Sequence, residues 1–235
     1  MKTFADKIIS FNKKIVFEGS LPKNISIMNP FKENEEALEI SSKFYKKFYD
    51  DFEKRFLILG INPGRFGAGV TGVPFTDTKK LMEECCLQFS GKSTHEPSAT
   101  FIYEMINAFG GTQKFYSQFY IHSICPLGFT IKNEKGKEVN YNYYDSKELM
   151  DSVYDFIIEN IKKQISFGIN RDICFCFGTG KNERFLKKIN EEFNFFKKIV
   201  ALEHPRYIVQ YKSKSKQDYI DKYLEAFAET TDKHN

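Results

Sequence analysis

The chain runs to 235 residues, 41% of them hydrophobic and 16% aromatic, with 25 Phe, 13 Tyr and no Trp; this is enough apolar surface for one large core and excludes disorder over the whole length. Thirty-five Lys and Arg against 31 Asp and Glu leave a net charge of +4, a mild excess that permits a nucleic-acid partner and equally an enzyme of small anions. The five cysteines (Cys85, Cys86, Cys125, Cys174 and Cys176) match neither a disulfide framework nor the paired spacing of a zinc or iron–sulfur site, no stretch approaches the roughly 18 apolar residues of a membrane span, and MKTFADKIISFNKK lacks a signal-peptide run, so a reducing, cytoplasmic setting is expected.

In chain order, residues 1–54 read as an N-terminal helical region with Pro-marked loops at SLPKN and MNP, packed on a single domain that spans 1–235. A first apolar strand is expected at RFLILGI, 55–61. Phe101, Ile102, Met105, Ile106 and Phe109 then recur at helical spacing, with Ser98 as the expected cap and Gly110-Gly111 as the stop. A second strand follows at QFYIHSI, 118–124, and then a turn-rich excursion over 128–145 that reads as a small hairpin. Leu149, Val153, Phe156, Ile157 and Ile161 mark another helix. The third strand is RDICFCF, 171–177, where Cys174 and Cys176 share a face as buried free thiols. Phe185, Leu186, Ile189 and Phe193 mark a helix, KKIVAL (197–202) a fourth strand, and Tyr219, Ile220, Leu224 and Phe227 a closing helix. Strands separated by helix-length segments predict the α/β class: a three-layer α/β/α sandwich around a central, mostly parallel four-stranded sheet.

Sheets of this kind bind ligands at the carboxyl ends of their strands. Strand one delivers Asn62 there. Strand two delivers His122, Ser123 and Pro126. Strand three delivers Gly178-Thr179-Gly180-Lys181, and strand four Glu203-His204-Pro205-Arg206. One cleft would gather them all.

The most distinctive segment is GINPGRFGAGVTGVPF, residues 60–75, with five glycines and two prolines directly after an apolar strand. Such punctuation makes a rigid, shaped loop. It fits neither the dinucleotide fingerprint nor a Walker A loop. The segment resembles the first motif of the uracil-DNA glycosylase superfamily, in its single-strand-selective monofunctional branch, where the pattern is close to G-M-N-P-G-P-F-G-x-x-x-T-G-V-P-F. YIHSICPLGF (120–129) is similar to the family's second-strand run F-V-H-N-x-C-P-L, and EHPR (203–206) resembles a contracted form of its H-P-S-P-R loop.

The resemblance implies a DNA-repair enzyme that hydrolyses the bond between a damaged pyrimidine and deoxyribose. It implies water as the nucleophile, no strand cleavage, no metal and no cofactor. DNA carrying the damaged base is the expected partner, the membrane is not, and a monomer is expected. Asn62 then takes the water-positioning role, since an amide holds geometry without a shifted pKa. His204 would donate to the base oxygen on which negative charge develops. Phe75 would stack on the flipped pyrimidine, with Gly64 and Phe66 lining the same base-binding loop. Arg65 replaces the branch's proline and can touch phosphate. Lys181 offers a phosphate contact at a helix start, and Arg206, Lys212, Lys214 and Lys216 form a basic element without an acid among them. His122 reads as structural and His95 as a loop residue.

Two positions depart from the family pattern. Ser123 stands where the family's asparagine reads the pyrimidine edge, and a hydroxyl cannot offer an amide's paired donor and acceptor. The final loop lacks the Ser-Pro between His204-Pro205 and Arg206. Two other readings stay open at this level: a DNA-binding protein that kept the fold and lost cleavage, and a small-molecule hydrolase or nucleotide-binding protein.

Overall fold

The computed structural model describes residues 1–230. Its strands are β1 (Ile25–Met28), β2 (Arg55–Gly60), β3 (Phe119–Ser123), β4 (Gly128–Lys132), β5 (Glu138–Tyr141), β6 (Ile169–Phe177) and β7 (Lys198–Leu202). Its α-helices are α1 (Phe4–Lys14), α2 (Pro30–Glu33), α3 (Glu35–Tyr49), α4 (Ala68–Thr71), α5 (Thr78–Glu83), α6 (Pro97–Phe109), α7 (Thr112–Gln118), α8 (Lys147–Ile165), α9 (Lys181–Phe193), α10 (Pro205–Tyr211) and α11 (Lys216–Ala228).

The central sheet has the order β3-β2-β6-β7 with every neighbouring pair parallel. Side chains alternate across it. On one face Phe119, Phe175 and Phe177 meet Phe109 of α6 and Tyr223 and Phe227 of α11. On the other, Tyr120 and His122 meet Phe4 and Phe11 of α1, and Cys176 meets Asn182 of α9. Helices therefore cover both faces, which is why strands β2 and β3 are buried along their whole length. All five cysteines are free, and only Cys86 is exposed. Arg55 opens β2 fully buried. Its guanidinium pairs with Asp51, its Nε donates to the Tyr116 carbonyl at 3.2 Å, and the rings of Phe4 and Tyr49 lie over it.

Two sequence expectations are corrected. The N-terminal region is not helical throughout, because Ile25–Met28 forms β1. This strand pairs antiparallel with β4, and β4 with β5, in a second sheet of three strands. The pairing partner is far along the chain, so nothing local marks the strand. The expected hairpin at 128–145 is thus two-thirds of a sheet. The cap of α6 also moves. The helix starts at Pro97 with Glu96 at the N-cap, and Ser98 lies buried inside its first turn. Proline is favoured at the first helical position because its missing N–H has no partner to lose there. Gly110 ends this helix at φ 116°, a conformation that needs glycine.

Among the described residues no helix is long and apolar enough to cross a membrane, and no group of three or more His, Cys, Asp or Glu is placed to hold a metal.

Candidate active site

At the carboxyl edge of the central sheet lies a cavity of about 180 Å³. That is below the usual range of roughly 300–1,000 Å³ for drug-sized ligands and suits a single ring. Asn62, Gly64, Phe75, Ser123, His204 and Arg206 all line it.

Phe75 floors the cavity. Its backbone has φ 52°, an uncommon conformation for a bulky residue and one that clusters at functional sites. The ring is braced by the edge of Phe177 at 5.7 Å and by His204 at 5.6 Å between centroids. It lies directly over Gly60: a Cβ there would sit 2.8 Å from two ring carbons. Glycine at the end of β2 is thus the condition for a ring in this place.

Asn62 leaves the same strand two residues on. Its Oδ1 accepts from the Tyr143 N–H at 3.1 Å, and its Nδ2 donates to the carbonyls of Tyr141 and Pro63, both at 3.3 Å. Both donors are engaged, and one oxygen lone pair remains. The amide is therefore fixed as an acceptor towards the cavity, the orientation a bound water requires if it is to be held by one of its own protons.

His204 follows β7 as the N-cap of α10, its Nδ1 accepting from the Arg206 N–H at 3.1 Å. That bond assigns the neutral tautomer with its proton on Nε2. Burial, and then the positive charge of Arg206, push the imidazole down to about 4, so it is a neutral donor at pH 7. His122 is also pushed down to about 4 by burial, but it lies inside the sheet against Phe11 and Tyr120 and does not line the cavity.

Ser123 ends β3 beside Gly60. It is buried, and its hydroxyl makes no hydrogen bond to the described residues, leaving it available to a ligand. The remaining sequence candidates lie outside the cavity. Phe66 is half exposed, with the Arg65 guanidinium 4.9 Å from its ring. Lys181 is exposed at the start of α9, 5.7 Å from the Tyr144 ring. Lys214 is exposed in the turn before α11 and Lys212 partly so. Lys216 is engaged with Glu104 of α6.

Sequence reasoning missed four polar lining residues: Glu96, Ser98, Asn140 and Asn142. The two asparagines arrive on and just after β5, where Asn140 Oδ1 accepts from the Arg65 N–H at 3.1 Å. The alternating NYNYY run is the one local hint of them. For Glu96 the hint was Pro97, which as first helical residue puts the cap two residues earlier than Ser98 does.

A parallel sheet that presents an aromatic floor, an amide acceptor and a neutral imidazole donor around a ring-sized cavity fits a planar ring with a hydrogen-bond acceptor on its edge. The family model described as the uracil DNA glycosylase superfamily matches residues 46–228. The chain belongs to that superfamily and is a glycosylase on its α/β/α scaffold. Among solved structures it is similar to the wild-type SMUG2 of Pedobacter heparinus: 62% identity, a TM-score of 0.97, and coverage of 99% of this chain and 100% of the other. A search among curated proteins finds no match.

Proposed function

We propose that the chain excises uracil or a related damaged pyrimidine from DNA by hydrolysing the N-glycosidic bond, leaving the strand intact, and that it does so as a monomer in a cytoplasmic setting without metal or cofactor. The base enters the cavity by leaving the stack and lies on Phe75. Asn62 holds a water through its free lone pair, towards the sugar carbon. His204 donates from Nε2 to the base oxygen as the C–N bond lengthens and negative charge moves onto the ring. A neutral donor suits this step, because its weakly acidic Nε2–H can hydrogen-bond the developing oxyanion without transferring the proton to it. Gly64 lets the backbone approach, and Ser123 supplies one short contact to the base edge. Arg65, Phe66, Lys181, Arg206, Lys212 and Lys214 border the path of the strand, and Lys216 joins them once Glu104 releases it.

The observation that carries this reading is that Asn62 and Phe75 from the 60–75 loop, Ser123 at the end of β3 and His204 after β7 line one cavity of a single ring's size. The family shown above and the relative named SMUG2 support the substrate class. The test is single-turnover base release from oligonucleotides carrying one damaged pyrimidine, scored by strand breakage only after hot alkali. Asn62→Ala is expected to remove most release. His204→Ala is expected to cost roughly 10²-fold, the scale of one lost donor to a developing oxyanion. Unchanged rates in both variants would dismiss the site.

A further inference from the structure

The cavity holds one carboxylate for which the proposed chemistry has so far no use. Glu96 stands at the N-cap of α6, where a short polar side chain normally bonds back to the first-turn N–H groups. It makes no such bond. Its own N–H is anchored to Asp77 Oδ2 at 2.7 Å, and Asp77 is in turn fixed by capping α5 through its Oδ1. The side chain turns the other way, into the site.

The glycine-rich loop is shaped around it. A Cβ on Gly67 would lie 2.0 Å from Glu96 Oε2, and one on Gly64 would lie 2.9 Å from Oε1. Two glycines of the 60–75 segment thus leave space that the carboxylate fills. Among the described residues that carboxylate has neither a hydrogen bond nor an ion pair with the protein. It is also the only acid among the cavity's lining residues. A carboxylate that is partly buried, unpaired and braced is costly unless it is used.

Hydrolysis here creates a need for such a group. As the base departs, the sugar becomes cationic and the attacking water must lose a proton. Asn62 can orient that water but cannot take its proton, and His204 is committed to donating.

We propose that Glu96 is a catalytic residue of this glycosylase, the general base that takes the proton from the water held by Asn62 and whose negative charge faces the cationic sugar. The C–N bond breaks with its electron pair leaving on the pyrimidine ring. The water oxygen bonds to the sugar carbon, and its proton passes to the Glu96 carboxylate. The departing base and Glu96 then return to their resting protonation through solvent.

The groups around Glu96 agree with this role. Burial is the main reason its carboxyl is pushed up to about 7, the neighbouring Asp77 charge pushes the same way, and Arg206 opposes them. His95 lies 3.6 Å from Asp77, His204 lines the cavity in its neutral form, and Arg65 flanks Gly64 on the loop side. A base poised near the working pH transfers protons most effectively.

The inference rests on the reading above, and the experiment separates their failures. Single-turnover uracil release from a single-stranded oligonucleotide is measured from about pH 5.5 to 9 for the parent, Glu96→Gln and Glu96→Asp, with DNA affinity measured alongside. The parent rate should climb with pH and level off above the titration of Glu96. Glu96→Gln should fall by about 10²–10⁴-fold, the contribution of a positioned base, and lose the climb, with DNA affinity within about threefold. Glu96→Asp should be slower and keep the climb. A Gln variant that retains the parent's rate or its pH slope overturns the proposal. Should that variant not fold, an Asp variant indistinguishable from the parent overturns it equally. A parent that releases no uracil at any pH would refute the uracil reading of the site itself.

Discussion

Replacing Gly60 by alanine tests whether the floor of the site is set by the end of β2. The new Cβ would stand 2.8 Å from Cε2 and Cζ of Phe75, whereas carbon atoms rest at about 3.5–4.0 Å. The ring must therefore retreat by roughly 0.7–1.2 Å, and Phe177 and His204 brace it on two sides. The free direction is into the cavity, which is only about 180 Å³. A misplacement of that size is worth about 10²-fold in rate. The folding cost is smaller: overpacking of about 1–3 kcal/mol, offset by the roughly 0.4–1 kcal/mol that alanine gains over glycine from a less mobile unfolded chain. Single-turnover release and thermal melting separate the two effects. The decisive comparison is the double variant. If the loss acts through the ring, Gly60→Ala added to Phe75→Ala should cost little more, because touching residues are not additive. Parent-like release by Gly60→Ala, or full additivity with Phe75→Ala, would refute the reasoning.

Two further outcomes are expected. Ser123→Asn restores an amide at the pyrimidine edge and should raise uracil release and sharpen rejection of 5-substituted uracils, by up to the roughly 5- to 150-fold that a buried hydrogen bond of about 1–3 kcal/mol represents; a folded variant slower than the parent would reopen the substrate assignment. Replacing Lys212 and Lys214 by alanine should flatten the logarithmic dependence of DNA affinity on salt by about 0.7–0.9 for each phosphate no longer neutralised, and Lys216→Ala by less because Glu104 already engages it; identical slopes would put the DNA path elsewhere.

The central sheet was legible in the sequence because each of its strands is an apolar run with its own turn signals, and β2 and β3 are buried on both faces. The edges of those strands were legible for the same reason, so Asn62, Ser123 and His204 could be placed together from residue order alone. Of the second sheet only the β4–β5 hairpin was legible, from its turn-rich sequence; the sheet as a whole was not. Its first strand is only ISIM, of mixed burial, and its partner β4 is distant in sequence, so neither periodicity nor local turn chemistry marks it. What that sheet positions was hidden with it, namely Asn140 on β5, Asn142 just after it, and the Tyr141 and Tyr143 backbone groups that hold Asn62 from outside its own loop. Glu96 was hidden for another reason. Residue type suggested Ser98 as the cap, and only the course of the chain shows that the capping position is occupied by a side chain turned elsewhere.

The bonds from Asn62 to Tyr141 and Tyr143 have a consequence for anyone who would move this chemistry. The 60–75 loop is the recognisable signature, yet transplanted alone onto another parallel sheet it would carry an asparagine held only by the carbonyl of its neighbour Pro63. The portable unit is discontinuous: the loop together with 138–143, kept in register by β1 and β4. Shortening the hairpin tip at 133–137 should be harmless, since neither bond to the asparagine comes from it. Sliding β5 by a single residue against β4 would turn Asn140 to the opposite side and withdraw the amide's holders at once. Homology drawn from the signature by itself can therefore overstate activity, and the pairing of a short, weakly marked strand decides whether the signature is armed.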